Sequence, residues 1–108
     1  MANFNLNKVI LGGRMTADPE LKQTPQGTSV TSFSVAVNRK GKDAQTDFIN
    51  CVAWRQTAEF VEKYFKKGSG IEATDHLQSG SYENKEGKKV YTLDLFVEEA
   101  GFVGSKKE

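Results

Sequence analysis

Residues 46–54, TDFINCVAW, are apolar at alternate positions whichever face is counted. In an extended strand successive side chains point to opposite faces. Ile49, Cys51 and Ala53 form one compact apolar row suited to a core, while Phe48 and Trp54 flank Asn50 on the other. The preceding stretch, Val30 to Arg39, alternates in the same way: Phe33, Val35 and Val37 stand against Ser32, Ser34, Ala36 and Asn38. The polar KGKDAQ between the two reads as a hairpin tip, so residues 28–54 are expected to form a long hairpin. A chain built around such a hairpin is a β protein. Its second face holds two large rings among small polar groups, which is either a second packed layer or a surface made for stacking.

The remaining segments extend this pattern. Asn7 to Gly13 reads as a first strand ending at Gly12-Gly13, and ADPELKQTPQGTS as a turn-rich connection with room for a short strand at Glu20 to Gln23. From Gln56 to Lys67 the period changes, with Ala58, Val61 and Phe65 on one stripe, as in an amphipathic helix. Lys66 and Lys67 suit its C-terminal dipole, and Gly68 a left-handed cap. Strands at Gly70 to Tyr82 and Lys88 to Val97 follow, joined by the tip ENKEGK. Three main strands, a helix and two strands predict a five-stranded Greek-key barrel of the oligonucleotide/oligosaccharide-binding (OB) type, all-β with one helix between strands 3 and 4.

Composition limits the function. The 108 residues fit one domain, expected over 1–104, with 105–108 a short C-terminal remnant. No apolar run approaches the ~20 residues of a membrane span, and no signal-peptide pattern opens the chain. The single cysteine, Cys51, allows no internal disulfide or zinc cluster, which points to a reducing cytoplasm. A formal charge of +1 argues against coating nucleic acid by bulk charge alone, leaving a local patch combined with stacking.

The candidate residues for such a patch are specific. Phe48 and Trp54 lie on the non-core face of their strand, and Tyr82 ends the fourth main strand. Aromatic rings stack bases without sequence preference, at about 1–3 kcal/mol per base. Arg39, Lys40 and Lys42 occupy the first tip, Arg55 follows Trp54, and Lys85, Lys88 and Lys89 occupy the second. Two basic tips around an aromatic floor suit a phosphate backbone. The competing reading packs Phe48 or Trp54 under the helix or at a subunit contact, and assigns the lysines to keeping edges soluble.

Catalysis and cofactors have no comparable basis. Asp75-His76 is the one acid–histidine neighbour pair, and adjacent strand positions are expected to point apart. No spaced ligand set suggests a metal, and no glycine pattern cradles phosphate before a helix. Asp18, Glu20, Asp43 and Asp47 read as turn or surface carboxylates.

In order along the chain, NKVILGGRMTADPELKQTPQGTSVTSFSVAVNR, TDFINCVAW, AEFVEKYFKKGS and GSYENKEGKKVY resemble the bacterial and phage single-stranded DNA-binding proteins, from Asn7 to about Val103. The resemblance implies an OB fold that wraps single-stranded DNA without sequence preference in replication, recombination and repair. It also implies a homotetramer built as a dimer of dimers, located in the cytoplasm with the nucleoid. By motif, the stacking positions of the family correspond to Phe48, Trp54 and Tyr82. A further aromatic often found on the first tip has no counterpart in NRKGKDAQ, which leaves Arg39, Lys40 and Lys42 there. The chain ends FVGSKKE, without the acidic partner-recruiting tail of many members: a phage-like short form, a trimmed chain or a member that recruits partners otherwise. Asp75 stands where the family usually has a glycine, which can allow a bulge or a close backbone approach, so the local strand path and an oligomer contact are left open there. These departures keep a second expectation open, an interaction module similar to the single-stranded DNA-binding proteins, such as a primosome or phage assembly factor, with weak or lost DNA binding.

Overall fold

A computed structural model describes residues 5–41 and 45–103. Its elements are β1 (Val9–Met15), β2 (Glu20–Gln23), β3 (Ser29–Asn38), β4 (Thr46–Trp54), α1 (Arg55–Tyr64), β5 (Gly70–Glu83) and β6 (Lys89–Phe102). The strands form one six-stranded sheet of order β1-β5-β6-β4-β3-β2, with an additional β1–β3 pairing. This corrects the expected five-stranded Greek-key barrel with a helix between strands 3 and 4: the described residues form six strands, and the helix falls between β4 and β5.

The reason lies in the turn-rich connection. Glu20–Gln23 pairs residue for residue with Ser29–Ser32, closing a tight turn in which Gly27 N donates to Thr24 O at 2.8 Å and Gly27 takes φ 85°. The buried Thr31 hydroxyl donates to Glu20 O at 2.7 Å and ties the extra strand down. What reads as loop with room for a strand is a full sheet member.

The long hairpin forms in the expected register. Phe33 opposes Cys51, Val35 opposes Ile49 and Ser34 opposes Asn50. Phe33, Val35, Cys51 and Ala53 join Met15, Ile71, Ala73, Leu95 and Val97 in the core, which α1 closes with Ala58 and Val61 and the following Phe65. Met15 anchors β1, which pairs with β5 from Val9 to Arg14 and with β3 at Arg14 and Met15. That second contact depends on Gly13. A Cβ built there would collide with the carbonyl oxygen of Ala36 and lie 2.9 Å from Val35 Cγ1, whereas one on Gly12 would meet only Val103 Cγ2 at 3.5 Å and Ile71 O at 3.8 Å.

The helix is shorter than its period suggests. Phe65 leaves helical backbone (φ −119°, ψ 137°) and buries its ring, and the Lys67 N–H is taken by Asp18 Oδ1 at 2.7 Å. Gly68, at φ 89°, therefore turns the chain beyond the helix instead of capping it, donating to Met15 O. The last two strands are longer than expected. Beyond Leu77 and Leu95 they pair, among the described residues, only with each other, as a two-stranded arm ending at the turn Asn84–Gly87.

Candidate nucleic-acid interface

Alternation within β4 places Phe48, Asn50, Val52 and Trp54 on the side opposite the core. The exposed fractions of Phe48, Trp54 and Tyr82 are 65%, 37% and 56%. Neither ring of β4 is a core residue, although Trp54 also stands at the entry to α1, where it supplies the N-cap position without a side-chain hydrogen bond. Across the sheet the register aligns Ser32, Val52, Phe96 and His76 in one row on this outer face. Tyr82 has the same parity as His76 on β5 but lies out on the arm.

Two depressions follow this face. One, of about 470 Å³, is lined by Trp54, Arg55, Gln56, Thr57, Phe96, Val97 and Glu98. The other, also about 470 Å³, runs over Ser32, Ser34, Asn50 and Val52 to Asp94. Their floor is small, polar and aromatic, as the alternation suggests.

The cations are less uniformly available. Arg39 is exposed but its guanidinium is committed: Nη2 donates to Asp47 Oδ1 at 2.8 Å, and Nε to both carboxylate oxygens. Hydrogen bonding to the charged forms holds the Asp47 carboxyl below its ordinary range and raises Arg39. Lys40 is exposed in the loop, while Lys42 and Asp43 lie outside the described residues. Arg55 borders the Trp54 depression with φ 58°, a left-handed conformation unusual for a side chain of this size. Lys85 and Lys88 are exposed at the arm's turn. Lys89 alternates onto the face away from Tyr82, with Nζ 5.6 Å from the centroid of Tyr91.

The sequence reading misses two features. Phe96 shares the groove with Trp54 and stacks on His76 at 5.8 Å between centroids and 29° between planes. The alternation of Leu95 and Val97 against Asp94 and Phe96 would have located it. The second concerns Asp75 and His76, whose side chains meet instead of pointing apart: His76 Nδ1 is hydrogen-bonded to Asp75 Oδ2. The β5–β6 register slips between Thr74, opposite Glu99, and Asp75, opposite Val97, leaving Glu98 as the extra residue of a bulge. The strand path that the sequence leaves open at Asp75 is thus a bulge, formed without a glycine. It brings ligand atoms of Asp75, His76 and Glu98 within 4.8 Å of one another, a grouping that spacing does not reveal. Both His76 nitrogens already have partners, Asp75 and Gln78, and Lys8 Nζ lies 3.9 Å from Asp75.

A sheet that presents separated rings on a polar, solvent-facing surface, with cations at its loops, defines a binding protein for flat groups carried on an anionic chain. Family comparison agrees: residues 6–103 match the single-strand binding protein family, to which the chain belongs. It is 45% identical to "Single-stranded DNA-binding protein 1" of Lactococcus lactis over 106 residues, covering 94% of this chain and 71% of that protein. With "Single-stranded DNA-binding protein A" of Bacillus subtilis it shares 43% identity over 94% of this chain and 61% of the relative. With "Single-stranded DNA-binding protein 1" of Staphylococcus aureus the values are 44%, 94% and 63%. The chain thus spans between about three fifths and seven tenths of the length of these relatives.

Proposed function

We propose that this chain binds single-stranded DNA without sequence preference and without catalysis, protecting it in replication, recombination and repair. Bases stack on Phe48, Trp54 and Tyr82. Phosphates are met by Lys40, Arg55, Lys85 and Lys88, by Lys42 at the first tip, by Arg39 in competition with Asp47, and by Lys89 from the far side of the arm. The observation that carries this reading is the solvent exposure of three aromatic rings on the outer parity of β4 and β5. Membership of the single-strand binding protein family supports it. The site of action follows from the ligand: the cytoplasm, with the nucleoid. Among the described residues no helix is long and apolar enough to cross a membrane.

The functional unit is a homotetramer, a dimer of dimers. Leu6, Ile10, Tyr91, Leu93 and Phe102 support this, being large apolar residues left exposed by a single chain. Light scattering on the eluted protein tests it; a monomer at micromolar concentration overturns it.

Trp54 is the single tryptophan, so its emission reports directly on the groove. Titration with oligo-dT is expected to quench it strongly and duplex DNA weakly, with affinity falling with salt at a log–log slope of about −0.7 per phosphate contact. Binding without quenching removes Trp54 as a platform. Absent quenching together with absent binding in a size-shift assay favours the interaction module instead, a reading to which the Arg39–Asp47 pair and the acidic Asp94 and Glu98 beside the grooves lend weight.

A further inference from the structure

We infer that Phe96, with His76 stacked against it, is an additional base platform. It would carry the strand from Trp54 across β6 and β5 toward Tyr82. The inference rests on the single-strand-binding reading and adds a residue and a path to it.

Phe96 is not needed by the core, which β6 supplies through Leu95 and Val97 on its other face. It stands in the outer row between Val52 and His76, so its ring is braced on both sides at the ~4.8 Å spacing of neighbouring strands. It lines the same depression as Trp54. The His76 ring is held by Asp75 at Nδ1 and by Gln78 at Nε2, which fixes its plane while it lies against Phe96. A ring pair fixed in this way loses little side-chain freedom when a base is added, so stacking is not offset by ordering.

The charges beside the pair decide what it can accept. Asp94 precedes Phe96 on the same face, and Asp75 and Glu98 flank His76. A phosphate there would meet carboxylates, whereas a base can lie over the rings with its backbone turned outward toward Arg55 at the rim. The row therefore fits bases and rejects backbone. It also supplies a stacking position in a chain whose first tip carries no aromatic residue.

The test compares F96L, F96Y and W54A with the unaltered protein by anisotropy of labelled oligo-dT, each checked by circular dichroism. F96L is expected to weaken binding about 5- to 150-fold, the loss of one stacked base, while F96Y, which keeps the ring, binds as the parent does. If W54A weakens binding and F96L does not, the Phe96 platform is wrong and the single-strand reading stands. If the unaltered protein does not bind at all, both fall. Should F96L fail to fold, photocrosslinking of the unaltered protein to an oligonucleotide carrying 5-iodouracil decides the matter. Adducts at Phe96 or His76 support the platform, and adducts confined to Trp54, Phe48 and Tyr82 overturn it.

Discussion

Asp47 takes hydrogen bonds from both Nε and Nη2 of Arg39, so a cation that the linear sequence offers to phosphate is already shared inside the protein. The contact follows from register: Asn38 opposes Thr46 and Val37 opposes Asp47, which brings residue 39 back beside residue 47. D47N is expected to release the guanidinium, tighten oligo-dT binding and steepen the salt slope by about 0.7, checked by titration at several ionic strengths. The pH dependence has a definite sign. Because the folded Asp47 carboxyl lies below its ordinary range, the pair's contribution is present above the ordinary value and lost as pH falls through the lowered one. Cys51 illustrates the opposite environment. Burial, with a smaller effect from Asp94, pushes its thiol up to about 12, from the 9.0 of a free thiol. It should resist thiol reagents until the protein unfolds, and its contribution to stability should decline as pH rises between those two values. The outward placement of Phe48 and Trp54 was legible from alternation alone. The Arg39–Asp47 pairing and the Phe96–His76 row were not, because both require the pairing of particular strands.

Strand β4 passes into α1 through Arg55 at φ 58°, a helix start with no side-chain cap and no acid in its first turn. A side chain in this conformation costs about 1–2 kcal/mol. R55G is expected to stabilise the fold by roughly 1 kcal/mol while weakening DNA binding and making the salt slope about 0.7 shallower. Thermal melting and titration should thus move in opposite senses for one substitution. The β5–β6 arm belongs to the same scale. Past the reach of β1 and β4 it is a ribbon of two strands, so its backbone amides should exchange with deuterium faster than those of Ile71 to Ala73, as mass spectrometry can resolve. The helix and the long hairpin were visible as changes of period. The helix end, the full membership of Glu20–Gln23 in the sheet and the bulge at Glu98 were not. Each is decided by a tertiary contact: Phe65 entering the core, Thr31 bonding Glu20, and Asp75 paired with Val97.

For the whole molecule, a net charge of +1 means that affinity cannot rest on bulk attraction, and stacking must supply a large share of it. W54A should accordingly cost about 1–3 kcal/mol of binding with little change in melting temperature, since the ring lies outside the core; a large loss of stability with unchanged affinity would reverse that assignment. The strand count differs at this scale, since sequence periodicity does not tell whether the four exposed residues Glu20 to Gln23 join a sheet. The meeting of β1 with β3 at Gly13 has a consequence of another kind. Two neighbouring glycines that look interchangeable in a sequence impose unequal restrictions on inheritance. In a saturation library selected for folded protein, position 12 should accept small side chains, while position 13 should return glycine and nothing else.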